Sequence, residues 1–178
     1  FEIYRPNIPV VYNCSGYESV ETLKKFEGIV DIYLTDIKYF DSEVSERYSK
    51  AKDYFEVTSQ AVKEMIRQQP ENIFDDNGIM KKGVIIRHLV LPLNLTQTRK
   101  IFQWIKDELG QQVIISLMSQ YIPVGKACDY KEINRRLTTR EYEKALDMFD
   151  EFGFENGFMQ ELSSSKEDFI PPFNLEGV

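Results

Sequence analysis

The sequence predicts an α/β fold in which helices cover a sheet of parallel strands. Short segments rich in β-branched and aromatic residues alternate regularly with longer amphipathic segments, and this alternation is typical of successive β–α units. The 178 residues are 42% hydrophobic and 29% charged, which is the composition of a folded globular domain and excludes a disordered chain. Because crossover connections are right-handed, two arrangements stay open, a doubly wound open sheet and a partial β/α barrel.

The first half of the chain predicts two strands and a long helix. Ile8–Asn13 is a compact strand segment, and Gly16 separates it from a short helical stretch. Val30–Asp36 predicts the second strand because β-branched and aromatic residues occur throughout it. Phe55–Gln69 places apolar residues at helical spacing, and Pro70 ends this helix.

The second half predicts three strands separated by two helices. These elements are Val84–Leu91, Thr96–Leu109, Gln112–Met118, a helix that Thr138 or Thr139 caps and that runs through Phe152, and Gly157–Gln160. Val84–Leu91 is an almost continuous apolar run, of the kind that is buried on both faces of a parallel sheet. Asp75–Gly78 is a strong turn signal, which predicts a small hairpin inserted into the alternation.

Charge and cysteine content restrict the partners and the compartment. The 22 Lys and Arg against 29 Asp and Glu give a net charge of −7, and such an acidic surface argues against nucleic acid or an anionic membrane as the main partner. No apolar run approaches the roughly 20 residues that span a bilayer, and the first residues lack the pattern of a secretory signal. Cys14 and Cys128 are too few for a disulfide framework, so we expect a cytoplasmic location.

The predicted strand ends carry a set of polar residues. In parallel α/β folds, functional side chains gather at the carboxyl ends of the strands, where loops vary over a rigid sheet. The polar residues at these ends are Asn13, Ser15, Asp36, Lys38, Arg87, Ser119, Gln120, Tyr121, Gln160 and Glu161. The opposite ends offer no comparable set, and we therefore predict a site at this rim.

Asp36 and Lys38 are the most informative pair of this rim. Residues two apart on an extended chain project to the same face, so the carboxylate and the ammonium can together hold a zwitterionic ligand. A plain ion pair at the strand end is the alternative. Arg87 lies in an apolar strand, and we expect it to line the site because burying an unpaired guanidinium is costly.

Two other reactive residues are expected to be structural. His88, the only histidine, projects to the face opposite Arg87, and we expect it to be packed and hydrogen-bonded rather than catalytic. Cys14 has no nearby basic partner, which favours a small apolar residue over a nucleophile. The sequence shows no glycine-rich phosphate loop, no Ser-His-Asp order and no zinc-ligand spacing.

Five segments, taken in order, resemble a known superfamily. They are VVYNCSGYE, DIYLTDIKYFD, GVIIRHLVLP, ISLMSQYIP and NRRLTTREYEKALDMFDEFGFENGFMQE, and they resemble the middle and C-terminal part of radical S-adenosylmethionine proteins of the pyruvate formate-lyase activating enzyme subgroup. The resemblance implies a partial β/α barrel of parallel strands with outer helices. It also implies a 4Fe–4S cluster that reductively cleaves S-adenosylmethionine to a 5′-deoxyadenosyl radical. In the activases the target is a glycine of a partner protein, so a glycyl radical enzyme is the implied partner.

The resemblance assigns cofactor contacts to several rim residues. Asp36 and Lys38 match the family's D-x-K strand end, which contacts the methionine part of S-adenosylmethionine. Asn13, with Ser15 nearby, matches the position of a ribose-binding carboxylate, and an amide is still able to bond a hydroxyl.

On the adenine side of the implied site, the sequence departs from the pattern of the activases at one position. Arg87 and Val90 match the arginine and valine of the family's R-x-x-V-x-P strand, which passes beside the adenine. Tyr121, with Gln120, stands where the activases carry a histidine. This departure argues against a direct activase function.

The motif that would hold the cluster is not among these residues. The chain has no CxxxCxxC segment, and Cys14 and Cys128 lie too far apart to replace it. We therefore expect residues 1–162 to form an N-terminally truncated partial barrel that holds no cluster and has no radical activity alone, followed by a polar, Pro-rich tail over 163–178. Truncation would leave Ile8–Asn13 as a free apolar edge, which predicts a homodimer through that strand.

Two functions of other classes stay open. The first is a barrel lyase of the aldolase type, in which Lys38 forms a Schiff base with the substrate. The second is a non-catalytic module, in which Asp36 and Lys38 are a plain ion pair and the rim contacts a protein partner.

Overall fold

The computed structural model describes residues 7–159. Its strands are β1 (Val11–Cys14), β2 (Ile32–Asp36), β3 (Ile73–Phe74), β4 (Met80–Leu89), β5 (Ile114–Met118) and β6 (Gly157–Met159). Its α-helices are α1 (Val20–Lys24), α2 (Ser42–Ser49), α3 (Tyr54–Gln68), α4 (Leu95–Glu108) and α5 (Thr139–Phe152). One turn of 3₁₀ helix covers Gly125–Asp129.

Five of these strands form a parallel sheet in the order β1-β2-β4-β5-β6. The register places Asp36 of β2 beside Arg87 of β4, and Arg87 beside Ser116 of β5. The sheet is not closed within the described residues, because the path ends at β1 on one side and at β6 on the other.

The predicted hairpin is present and precedes the central strand. The short β3 pairs antiparallel with the start of β4. Asp75 Oδ1 accepts hydrogen bonds from the backbone N–H groups of Asn77 and Ile79 at 3.0 and 2.9 Å, and Gly78 adopts the positive φ of 74° that this turn needs.

The long helices pack on one face of the sheet. Helices α1, α3, α4 and α5 contribute to a single core cluster, which every second strand residue enters: Tyr33, Val84, Ile86, Ile115 and Leu117. The intervening side chains project to the other face, which we call the open face, and several of them, such as Leu34 and Ile85, are partly exposed. A doubly wound sheet has helices on both faces, so the single helix layer among residues 7–159 favours the partial β/α barrel over the doubly wound sheet.

A second, smaller cluster lies at the carboxyl ends of the strands. Its buried members are Tyr39, Tyr54, Leu91, Tyr121 and Ile133, and Val44 and Tyr48 of α2 pack against it. We call it the rim cluster. It joins the loops that follow β2, β4 and β5 to helices α2 and α3.

The predicted long helices agree with the structure to within one residue. The interval Phe55–Gln69 is observed as Tyr54–Gln68, and Thr96–Leu109 as Leu95–Glu108. The last helix is capped as predicted, because the side chain of Thr138 accepts a hydrogen bond from the Glu141 N–H and the Glu141 carboxylate bonds back to the Thr138 N–H.

Four predicted strand starts shift by two to four residues, and one helix was not predicted. The first strand begins at Val11 rather than Ile8, because Pro9 has no N–H to contribute to a ladder. Helix α2 was not predicted, since its eight residues bury only Ser45 fully and show a weak apolar pattern.

Some predictions fall on residues that the structure does not describe. Gln160 and Glu161, expected at the end of the last strand, lie outside the described residues, as does the tail 163–178. Among the described helices, none combines the length and the apolar character needed to cross a membrane.

Candidate functional site

Three charged side chains meet where β2 and β4 end. The Arg87 Nε donates to Asp36 Oδ1 at 2.6 Å, and Lys38 Nζ lies 3.1 Å from Asp36 Oδ2. The Arg87 Nη2 also reaches the carbonyl oxygen of Cys14 at 3.4 Å. We call Asp36, Lys38 and Arg87 the charge triad. Asp36 and Lys38 therefore lie on the same side of the chain, as their spacing predicts.

Exposure differs among the three members of the charge triad. The side chain of Asp36 is 11% exposed, that of Arg87 22% and that of Lys38 33%. The carboxylate is thus shielded while both cations still reach solvent, and the triad carries one net positive charge. A ligand carboxylate can bind the two cations, and a ligand ammonium can bind Asp36 Oδ2 in place of Lys38. The arrangement is chemically suited to an amino-acid-like or anionic group.

A buried tyrosine hydroxyl holds the strand ends that carry these residues. The Lys38 N–H donates to the Tyr54 hydroxyl at 3.1 Å. The hydroxyl in turn lies 3.3 Å from the Ser15 carbonyl oxygen and 3.4 Å from that of Asp36, and the two oxygens share its proton. Burial raises the pKa of Tyr54, so the hydroxyl stays protonated. Tyr17 stacks on the Tyr54 ring with the planes 10° apart.

Gly16 allows the loop after β1 to approach β2 closely. Its φ of +85° lies in the left-handed region. A Cβ at this position would overlap the carbonyl oxygen of Asp36 and crowd the side chain of Thr58. A glycine is therefore required for the contact that brings Ser15 and Asp36 within reach of one hydroxyl.

Further polar side chains lie on the open face beside the charge triad. Asn13 pairs in register with Leu34, so it projects to the same face as Asp36 but about 7 Å lower along the strand. Ser15 lies in the following loop with an exposed side chain. Ser116 is the neighbour of Arg87 in the register. It was not predicted, and its one signal in the sequence is a hydroxyl inside an apolar strand.

The remaining predicted site residues make their contacts with groups outside the charge triad. Val90 is fully buried in the helix-side core, and its N–H donates to the Met118 carbonyl at 3.0 Å. Tyr121 lies in the rim cluster, where its hydroxyl donates to the Ile133 carbonyl at 3.0 Å and burial raises its pKa to about 12. The Gln120 amide is half-buried and lies 3.9 Å from the sulfur of Met118.

His88 and Cys14 are structural in their surroundings. The His88 ring is 1% exposed, with Nδ1 at 2.7 Å from the Ile37 carbonyl oxygen and Nε2 at 2.9 Å from Thr98 Oγ1. Burial lowers its pKa to about 4, which leaves the imidazole neutral near pH 7. Burial raises the pKa of the Cys14 thiol to about 11, and a thiol so rarely ionised is a poor nucleophile.

Residues 7–159 offer no ligand set for a metal centre. No group of three or more His, Cys, Asp or Glu side chains in this part of the chain lies close enough to hold an ion, and both cysteines are free. The described residues therefore do not fit an iron–sulfur cluster, whereas the charge triad fits the amino-acid part of S-adenosylmethionine.

Comparisons with known proteins agree with this fold. A comparison with models of protein families gives no match. The chain is 41% identical over 150 residues to the uncharacterized protein MJ0674 of Methanocaldococcus jannaschii, an alignment that covers 84% of this chain and 40% of that protein. The chain thus spans about two fifths of the length of this curated relative.

A solved structure is also similar. A domain of pyruvate-formate lyase-activating enzyme from Bacteroides vulgatus ATCC 8482 superposes with a TM-score of 0.53 and 12% sequence identity, over 79% of this chain and 74% of that one. At this identity the similarity concerns the fold alone. The chain has an α/β fold of parallel strands with flanking helices that is similar to the fold of that domain.

Proposed function

We propose that this chain forms the S-adenosylmethionine-binding part of a radical enzyme similar to pyruvate formate-lyase activating enzyme. The observation that carries the proposal is the charge triad at the carboxyl ends of a parallel, one-sided sheet. The fold similarity to a domain of such an activating enzyme supports it. Because residues 7–159 offer no cluster ligands, the proposal assigns the 4Fe–4S cluster to another part of a longer protein.

In this proposal, the polar residues at the strand ends contact different parts of S-adenosylmethionine. Asp36 would accept hydrogen bonds from the ammonium of the cofactor, while Lys38 and Arg87 would neutralise its carboxylate. Asn13 and Ser15 would bind the ribose hydroxyls. When bound and reduced by one electron, S-adenosylmethionine would supply a 5′-deoxyadenosyl radical for hydrogen abstraction.

The proposal assigns fewer polar side chains to the adenine of S-adenosylmethionine than to its amino-acid part. Gln120 would offer its amide oxygen to the base, since its amide nitrogen lies at 3.9 Å from the Met118 sulfur and the Tyr121 hydroxyl and the Val90 N–H already have partners in the fold. Val90 and Tyr121 would support the adenine side through packing. A glycyl radical enzyme is the partner class that this proposal gives to the longer protein.

The test uses the longer protein that contains this chain, prepared without oxygen and reconstituted with iron and sulfide. We expect it to form 5′-deoxyadenosine from S-adenosylmethionine under a strong reductant. Asp36→Asn should weaken S-adenosylmethionine binding by about tenfold or more, since a hydrogen bond to a charged group contributes about 1.5–3 kcal/mol. Binding is measured by calorimetry without reductant.

Glu108→Gln is the matched control for Asp36→Asn. Glu108 pairs with Lys63 at 2.7 Å on the exposed surface of α4 and α3, so the same loss of a carboxylate occurs far from the rim. The proposal fails if the longer protein forms no 5′-deoxyadenosine, or if the two variants bind S-adenosylmethionine equally well.

The Schiff-base alternative makes a different prediction about Lys38. Its Nζ is paired with Asp36, whereas Schiff-base formation needs a free amine. Our proposal therefore predicts no adduct when the protein is treated with borohydride and simple keto acids. A mass increase on Lys38 would favour the lyase.

A further inference from the structure

A cavity of about 760 Å³ lies at the amino ends of the strands, the edge of the sheet opposite the charge triad. This volume is within the range of small-molecule sites, roughly 300–1,000 Å³. Three loops that lead into β3, β5 and β6 surround it. The cavity plays no part in the proposed function.

The lining of this cavity consists of an apolar floor and a polar mouth. The floor consists of five apolar side chains in or directly next to α3, β4, α4 and β5: Ile66, Val84, Leu109, Val113 and Ile114. The cavity mouth carries two carboxylates and two amides: Glu71, Glu155, Gln112 and Asn156. Two phenylalanine rings, Phe74 and Phe158, are 44% and 54% exposed beside these groups.

The polar side chains at the cavity mouth are available to a ligand. Within the described residues, the side chains of Glu71, Gln112, Glu155 and Asn156 make no hydrogen bond or ion pair. By contrast, the neighbouring amides serve the fold, since Gln69 donates to the Val30 carbonyl at 2.7 Å and Asn72 accepts from the Val84 N–H at 3.1 Å. The free groups are therefore distinct from those that hold the loops in place.

The charge of the lining selects one kind of ligand. No lysine or arginine lines the cavity in the part of the chain that the structure describes, and Lys82, two residues before Val84, is exposed outside the lining. Carboxylates beside aromatic faces attract a cation through both charge and the π-system. An apolar floor in turn favours a hydrocarbon body.

We infer that this cavity binds a small amphipathic amine, with its apolar body on the floor and its ammonium between Glu71, Glu155 and the two phenylalanine rings. The inference rests on the free carboxylates, the half-exposed rings and the apolar floor, and it does not depend on the function of the charge triad.

The test compares three phenyl probes of similar size on the ¹⁵N-labelled full chain. They are 2-phenylethylamine, 2-phenylethanol and 3-phenylpropionate at pH 7, which present a cation, a neutral hydroxyl and an anion on the same ring. We expect the amine to shift the backbone amides around Asn72, Val113 and Gly157 and to bind about fivefold more tightly than the alcohol, the effect of one exposed ion pair. The propionate should bind most weakly.

Two exposed substitutions then locate the ammonium. The double variant Glu71→Gln with Glu155→Gln should reduce the affinity for the amine toward that for the alcohol, without changing the affinity for the alcohol. Glu143→Gln removes an exposed carboxylate of α5 that does not line the cavity, and it should change neither affinity.

Two outcomes would overturn the inference. One is a shift map that lies away from the cavity lining, and the other is equal affinity for the three probes in the unsubstituted chain. Neither depends on a variant, so a variant that folds poorly cannot leave the question open.

Discussion

Asp36 is held by its side chain and by its backbone at the same time. Its carboxylate receives Arg87 at 2.6 Å and Lys38 at 3.1 Å, and its carbonyl oxygen lies 3.4 Å from the Tyr54 hydroxyl. The contacts come from different elements: Arg87 lies on β4, Lys38 follows β2, and the hydroxyl belongs to α3. The position of the carboxylate is therefore determined before any ligand arrives, which lowers the entropy cost of binding.

Removing the Tyr54 hydroxyl should disturb the rim more than removing a neighbouring one. Tyr54→Phe leaves the Lys38 N–H without its acceptor, and we expect the free energy of unfolding to fall by about 1–3 kcal/mol. The amide signals of Ser15 and Lys38 should also shift. Urea unfolding and ¹⁵N spectra measure both effects.

Tyr39→Phe provides the comparison for this prediction. Tyr39 lies in the same rim cluster, but its hydroxyl bonds to Ser49 at 2.9 Å, whose exposed side chain can turn to water. We expect a smaller loss of stability and no shift at Ser15 or Lys38. Equal effects of the two variants would contradict the role assigned to Tyr54.

His88 should make stability depend on pH in a defined interval. Burial lowers its folded pKa from 6.5 to about 4, so below pH 6.5 the unfolded chain binds a proton that the folded chain excludes. The contribution of the neutral His88 to the free energy of unfolding is therefore fully present above pH 6.5. It is lost as the pH decreases toward 4, by at most about 1.4 kcal/mol for each pH unit. Urea unfolding at several pH values between 6.5 and 4.5 measures the slope.

The variant His88→Gln separates this effect from that of the carboxylates. The protein has one histidine, and acids with a lowered folded pKa, such as Glu64 with a pKa of about 2, lose their contribution mainly below pH 4.5. His88→Gln should therefore flatten the slope above pH 4.5, whatever its own cost in stability. An unchanged slope would show that another group titrates there.

At the scale of elements, the loop after β1 depends on one glycine. Gly16 and Gly110 have nearly equal φ values, +85° and +83°, but a Cβ at Gly110 would meet no atom within 4 Å, whereas at Gly16 it would overlap the Asp36 carbonyl. Gly110→Ala should cost about 1–2 kcal/mol for the left-handed backbone. Gly16→Ala should cost a further 1–3 kcal/mol, roughly, for overpacking. Equal midpoints in urea would contradict the close approach of β1 and β2.

The elements that the sequence predicts best are those with a strong internal period and a clear end. Helices α3 and α4 show apolar residues at helical spacing, and Pro70 and Gly110 mark their ends. Helix α2 has neither feature, because it buries little and its position is set by packing against the rim cluster.

The candidate site is predictable only as far as local geometry reaches. The shared side of Asp36 and Lys38 follows from the two-residue period of a strand. The contact of Asp36 with Arg87 follows from the register between β2 and β4. Because the two residues are 51 positions apart in the chain, no local sequence pattern predicts their contact. Tyr54 contacts the rim because of how α3 packs, and Tyr121 turns into the rim cluster because the chain leaves the sheet after β5.

At the scale of the whole molecule, the helices that the structure describes leave the open face and the sheet edges uncovered. The strand β1 pairs only with β2 among the described strands, and Val11 on it is 51% exposed. Apolar side chains on an unpaired edge are a template for another strand. The net charge of −7 opposes association of two copies, and salt screens this repulsion.

We therefore expect the chain to form a dimer through β1 that becomes stronger with protein concentration and with salt. Val11→Lys should prevent this dimer, because a lysine on an edge strand obstructs pairing. Val124→Lys is the matched control, since Val124 is 52% exposed in a loop away from the edge, and it should leave the dimer intact. Sedimentation velocity at several concentrations measures the association. A monomer at the highest concentration, or equal association of the two variants, would show that β1 does not recruit a second copy.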